Sequence, residues 1–291
     1  RGLGDVYKRQ ALLTTAQAAK KNTKNSFSLN EVPKYNGKAS VVVHGNQPYF
    51  TSREKQNTKS FESYHKLDKL GRCGVAYANV SIDTMPTEKR GKIGQIRPSG
   101  WHTVKYSGVV DGNYLYNRCH LIAYCLTAEN ANKKNLITGT RYLNNEGMLP
   151  YETKTAQYID KTKNHVLYRV TPVFKGSDLI ASGVLMEAYS VEDQGKGISF
   201  CVYCYNVQPG VAIDYATGDS HLRGKNNQNS HKSSAKEHAS AVYILNTNTK
   251  KFHKPDCYSV KQMSSKNRKK YKGLRKKLIK DGYSPCKNCN P

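Results

Sequence analysis

Tryptophan, methionine and phenylalanine are scarce: one, four and six occur in 291 residues, against 21 tyrosines. Hydrophobic residues still make up 37% of the chain, enough for an ordinary core, while a mean hydropathy of -0.73 demands a very polar surface. No run of eighteen apolar residues occurs, which excludes a helix able to cross a membrane. No internal repeat is present, which excludes a solenoid or propeller. Acidic residues are also few, 21 against 47 Lys and Arg, for a formal charge of +26. So large an excess disfavours cationic partners and favours polyanions, because bound cationic side chains release the counterions condensed on phosphate. Nucleic acid is the leading partner on charge, with a solubilising or wall-binding surface as the plain alternative.

The length exceeds one compact domain and predicts a main unit with a smaller one. Short strand-like runs at 39–43, 74–80, 101–106, 165–170, 183–187 and 198–206 alternate with turn clusters and predict a mainly antiparallel sheet in an α+β fold. Helical signal is best over 143–162, interrupted by Gly147 and Pro150, with Pro150 in the first turn of the longer piece. That places a helix after a strand ending near Asn117. Residues 221–240 have linker composition. Beyond them, 241–291 carries fourteen Lys or Arg against Asp256 and Asp281. The expected division is a shortened leader over 1–30, a main domain over 31–220, the linker 221–240 and a small module over 241–291. Within the first segment, Ala11 to Ala19 followed by Lys20 and Lys21 reads as the end of a signal peptide, which predicts export.

Three stretches carry chemistry: Tyr116-Asn117-Arg118-Cys119-His120-Leu121-Ile122, then Asn132 to Thr138, then Asn144 and Glu152. Singly each residue is weak, since a lone histidine after a strand is more often packed than catalytic. Together they supply what phosphodiester hydrolysis needs: a base near neutral pKa, oxygen donors for a hard divalent ion, and a cation for the charge developing on phosphate.

The combination resembles the DNA/RNA non-specific endonuclease family, whose signature is Asp-Arg-Gly-His, followed by an Asn-containing segment and an Asn that holds magnesium. The resemblance spans roughly 32–218, includes Leu70-Gly71-Arg72 and Pro98 to His102, and is nearest to the branch containing DNA-entry nucleases. It implies a ββα-metal finger over Leu121 to Glu152 and a secreted enzyme acting on DNA or RNA through the phosphate backbone. It implies His120 as general base, Arg118 at the developing phosphate charge, and Asn135 as a second functional amide. Asn144 would hold Mg2+ (or Mn2+), with Glu152 on the metal's waters. Asn117 and Arg141 are candidate substrate contacts; an exposed helix-end arginine is the alternative for Arg141. The sequence departs from the signature twice, with Asn117 in place of Asp and Cys119 in place of Gly. Asn117 keeps an acceptor but loses a charge, and Cys119 requires a backbone angle that a side chain accepts. These departures leave a second reading, a non-catalytic nucleic-acid-binding or DNA-uptake protein with a degraded site.

The C-terminal segment has His253-x3-Cys257 and Cys286-x2-Cys289, two knuckles whose soft donors suit one tetrahedral Zn2+. So short and charged a segment has little core, and a structural metal compensates. Gly282 to Pro291 resembles the zinc-binding domain of the Ada alkylation-repair protein, with His253 where that family has cysteine, which disfavours methyl transfer. Lys266 to Lys270 and Arg275 to Lys277 fall at helical spacing and predict a cationic helix face. Cys201 and Cys204 have CxxC spacing, but on a strand they face opposite sides and read as core residues.

Overall fold

The computed structural model describes residues 26–223, 241–286, 288–289 and 291; the leader-like segment 11–19 and most of the expected linker lie outside the described residues. The first half contains β1 (Ser40–Val42), β2 (Phe61–Tyr64), β3 (Ala76–Val80), β4 (Tyr116–His120), α1 (Tyr124–Thr127), β5 (Leu136–Thr140) and α2 (Leu149–Thr162). There follow β6 (Val166–Val173), β7 (Gly183–Ser190), β8 (Ser199–Tyr205), β9 (Val211–Ile213) and β10 (Ser220–Leu222). The C-terminal part adds β11 (Ala241–Asn246), β12 (Lys251–His253), α3 (Tyr258–Lys261), β13 (Arg268–Gly273), α4 (Arg275–Lys280) and β14 (Ser284–Pro285).

The central sheet is antiparallel throughout, in the order β1-β8-β7-β6-β3-β2. Its two faces follow the period-two alternation of the sequence. Val184, Met186, Ala188, Phe200, Val202 and Cys204 join the main core beneath α2, where Ala156 and Ile159 are buried. Leu185, Cys201, Tyr203 and Tyr205 face the other way, under Val43 and the N-terminal residues Phe27, Leu29 and Val32. Cys201 and Cys204 therefore lie on opposite faces as expected, and all eight cysteines are free thiols. Phe27 stacks on Tyr203 with centroids 6.0 Å apart, so the main fold begins before the expected boundary at 31.

Beside this sheet, β4 and β5 form an antiparallel pair, from Tyr116 opposite Thr140 to His120 opposite Leu136. The helical signal over 143–162 resolves into a π-helical turn, Leu143–Met148, continuing into α2 with Pro150 in the first turn. The amide of Leu149 bonds back to the Asn144 carbonyl, and π turns of this kind recur at functional sites. Gly147 lets the turn press on β8: a Cβ there would lie 3.3 Å from the Cys204 Cβ. Asn206, fully buried, ties the finger to the sheet by accepting from the Thr140 amide and donating to the Thr138 and Ala181 carbonyls.

Four expectations change. The strand near Asn117 runs on to His120, and one helical turn and a second strand intervene before the long helix. Residues 101–106 form no strand beyond a single bridge, Lys105 to Tyr114, because Gly100 and Gly108, at φ +63° and +77°, turn the chain at either end. His221 and Leu222 pair with β9 instead of opening the linker. Lys266 to Lys270 do not form a continuous helix: Lys266 and Asn267 end a short 3-10 turn, and Arg268–Gly273 pairs with β11 along its whole length, where cross-strand bonding overrides the helical spacing.

The C-terminal sheet has the order β13-β11-β12-β14. Its core is small, with Tyr243, Leu245, Phe252 and Leu278 buried, and a second cluster of Cys257, Val260, Met263 and Cys286 surrounds the cysteine knuckles. No helix among the described residues is long and apolar enough to cross a membrane.

Candidate active site

The finger opens onto a cleft of about 1280 Å3 lined by His120, Asn117, Arg118, Arg141, Asn144 and Glu152, which brings six of the expected site residues together. His120 ends β4 and is buried. Its Nε2 lies 2.8 Å from the Asn130 carbonyl, which can only accept, so Nε2 carries the proton. Its Nδ1 lies 3.2 Å from the Arg90 guanidinium, which can only donate, so Nδ1 presents a lone pair. This network assigns the neutral Nε2–H tautomer. Burial, and secondarily the Arg90 charge, pushes the His120 pKa down to about 4. At neutral pH the imidazole is therefore unprotonated, a weaker base than the near-neutral one expected, and its one acceptor lone pair, at Nδ1, is taken by Arg90.

Arg90 stands 30 positions before His120 in sequence, among exposed Lys89 and Lys92. Composition gives no signal that separates it from those neighbours; only the folded loop does. Arg118 is held differently from the expectation of a free phosphate ligand. Its Nε donates to the Ile96 carbonyl, its Nη2 to the Gly94 carbonyl at 2.6 Å, and its guanidinium lies 4.1 Å from the Trp101 ring centroid. It braces the loop that follows Arg90 while lining the cleft. Two donors in the cleft, Asn117 Nδ2 and Arg141 Nε, are buried without a hydrogen-bond partner among the described residues and therefore favour an acceptor-rich ligand.

Asn135 does not line the cleft. Its Oδ1 accepts from the Ile122 amide and its Nδ2 donates to the Ile122 carbonyl, both at 2.9 Å, so it clamps the turn after His120. Cys119 points into the core, with its sulfur 3.5 Å from that of Met148. Its backbone is not in the left-handed region, so a side chain is accepted there. The space comes from Gly139, where an added Cβ would meet the Cys119 Cβ at 2.6 Å.

The residues present fit a hard divalent ion. Glu152 is buried in the first turn of α2, takes no hydrogen bond among the described residues, and is pushed by burial to about 8, partly offset by Arg90. A carboxyl so placed is a poor structural element but a good ligand, since a cation restores its ionised form. Asn144 donates its Nδ2 to Asn145 Oδ1 at 3.0 Å, which leaves the Asn144 oxygen for the cleft. Asn145, absent from the sequence expectations, lines the same cleft.

The second cluster also assembles. The ligand atoms of His253, Cys257, Cys286 and Cys289 lie within 4.8 Å of one another and could hold zinc. Backbone amides of Lys254 and Asn288 donate to the Cys289 and Cys286 sulfurs at 3.3 and 3.4 Å, as thiolates require. Donation from the Cys257 and Cys289 thiols pulls Cys286 far below the ordinary thiol range, while Cys289 is pushed up. One imidazole and three sulfurs so close together are a donor set that a divalent cation would complete.

Comparison with known proteins agrees with this geometry. Residues 51–192 match the profile of the family described as DNA/RNA non-specific endonuclease. A crystal structure of NucA from Streptococcus agalactiae with magnesium ion bound aligns at a TM-score of 0.55 and 26% identity, covering 62% of this chain and 86% of that one. The same nuclease with no metal bound aligns at 0.57 and 25% identity, covering 67% and 92%.

Proposed function

We propose that this chain, whose residues 51–192 match the DNA/RNA non-specific endonuclease profile, is a nuclease that hydrolyses phosphodiester bonds with His120 as general base and a divalent ion held at Asn144. The observation that carries the proposal is the His120 hydrogen-bond network, which fixes a neutral imidazole with its Nδ1 lone pair at the cleft.

In this reading Arg90 leaves Nδ1 for the incoming phosphate, and water then gives a proton to the freed Nδ1 as its oxygen attacks phosphorus; the bond to the leaving oxygen breaks, and that oxygen takes a proton from solvent. The Asn130 carbonyl holds the ring and favours the imidazolium that forms, since its bond to Nε2–H strengthens with charge. Arg90 accompanies the phosphate to the base, and the unpaired donors of Asn117 and Arg141 bind its oxygens. Arg118 adds charge while bracing the Gly94–Ile96 loop, and Asn135 positions His120 through Ile122. Asn144 and Glu152 would hold magnesium or manganese, the latter through the metal's waters; bound there, the ion would neutralise charge on a phosphate oxygen and on the leaving oxygen. No base-reading element is evident among the described residues, which suits recognition of the backbone of DNA or RNA. Zinc in the His253-Cys257-Cys286-Cys289 cluster would be structural. Export of the enzyme is part of the proposal and rests on the leader-like segment alone.

Plasmid incubated with the purified chain should be nicked and degraded when magnesium is added and left intact when it is omitted. Equal cleavage in both conditions would refute the metal-dependent reading.

A further inference from the structure

The catalytic cleft is not built by the nuclease domain alone. Cys257, Tyr258, Gln262 and Asn288 of the C-terminal module form part of its lining. The contacts that hold the module there bracket Cys257 and Tyr258 in sequence: Gln157 of α2 donates to the Asp256 carbonyl at 2.8 Å, and Lys261 Nζ lies 3.6 Å from Asp160. The turn from Asp256 to Gln262 is therefore fixed against the helix that carries Glu152. Three of its ends are secured: the Cys257 sulfur belongs to the metal cluster, the Asn288 amide donates to Ser259 at 2.9 Å, and Arg268 donates to the Val260 carbonyl.

Tyr258 is half-buried in this wall and, like Tyr124 across the cleft lining, its ring stacks on no aromatic or cationic neighbour among the described residues, whereas Arg118 and Lys105 cover Trp101 and Tyr114; of the uncovered rings Tyr258 is the one the C-terminal module supplies. At about 1280 Å3 the cleft exceeds the roughly 300–1,000 Å3 of small-molecule sites. An uncovered ring in a cleft that also carries Lys89, Arg90, Arg118 and Arg141 is an arrangement on which bases of a single strand stack, whereas the bases of a duplex are already stacked and paired.

We propose that the Asp256–Gln262 turn is a second nucleic-acid subsite within the catalytic cleft, taking an unpaired strand with a base stacked on Tyr258. The proposal rests on the nuclease reading and deepens it: the C-terminal module selects the strand form that enters the site.

The test uses the full chain in the His120→Ala background, which prevents cleavage, with a short fluorescein-labelled oligothymidylate and a duplex of equal length as probes in fluorescence anisotropy. Tyr258→Ala should weaken binding of the single strand roughly tenfold, Tyr258→Phe should retain it, and duplex binding should change by less than about twofold. Zinc content equal to the parent's shows that the module is still folded. Single-strand binding unchanged in Tyr258→Ala overturns the proposal, as does equal loss for both probes or equal loss in Tyr258→Phe, which would mark a structural tyrosine. Photocrosslinking of an oligonucleotide carrying 5-iodouracil should yield an adduct in the peptide containing Tyr258; adducts confined to the nuclease domain overturn it as well. Plasmid cleavage by the parent chain is scored separately, so failure to cut with Tyr258-dependent binding intact counts against the nuclease reading alone.

Discussion

His120 makes the stability of the nuclease domain depend on acidity in a way that can be worked from its surroundings. Its pKa in the folded chain is about 4, against 6.5 for an ordinary histidine, because burial and the adjacent Arg90 both penalise the imidazolium. Above pH 6.5 the ring is neutral in folded and unfolded chains alike, and its stabilising contribution is fully present. As pH falls from 6.5 towards 4 the unfolded chain binds the proton and the folded chain does not, so stability is lost across that window. At ~1.4 kcal/mol per pH unit the loss reaches ~2–3 kcal/mol near pH 4.5. The single tryptophan, Trp101, lies in the cleft wall under Arg118 and outside the C-terminal module, so its fluorescence reports unfolding of the main domain. Urea unfolding at pH 7 and near pH 4.5, without added magnesium, should show the parent losing ~2–3 kcal/mol more than His120→Asn. Acid effects on other groups and on the zinc cluster are common to both chains and cancel. The same loss in both would refute the reading of a buried, neutral His120.

The fit of Cys119 against Gly139 predicts that Gly139→Ala destabilises by ~1–3 kcal/mol, since the new Cβ would meet the Cys119 Cβ at 2.6 Å, and that adding Cys119→Gly restores most of the loss in urea melts. Replacing Cys286 and Cys289 by Ser should abolish bound zinc in elemental analysis of the full chain; an unchanged metal content would show that the cluster is not the ligand set. Asn144→Ala should raise the magnesium concentration needed for half-maximal cleavage or eliminate turnover, because a hard ion rich in water ligands has few protein contacts to lose. An unaltered magnesium titration would remove Asn144 from the metal site.

The antiparallel sheet was legible because its strands alternate over two buried faces, and β6, β7 and β8 fall where the apolar runs predict them. The finger was legible through the spacing of Asn117, Arg118, His120, Asn144 and Glu152, which the fold gathers in one cleft. What escaped is what long-range contact decides. Arg90 reaches His120 only because its loop folds over the finger, and Arg118 is partly taken up by the carbonyls of that same loop. Asn135 reads as a functional amide from its position, yet both its polar atoms are taken by Ile122. The basic run at Arg268 has helical spacing but lies beside β11, whose partner strand it becomes. The docking of the C-terminal turn on α2 through Gln157 and Asp160 has no signature in either segment taken alone.

The central claim is that one imidazole performs the proton transfer while binding is spread over many cations. The direct measurement is plasmid cleavage in magnesium by His120→Ala, with nucleic-acid affinity measured on the same preparation. The account predicts a rate lower by on the order of a hundredfold or more, with affinity nearly unchanged. Cleavage at the parent rate, with contaminating nuclease excluded, would contradict it.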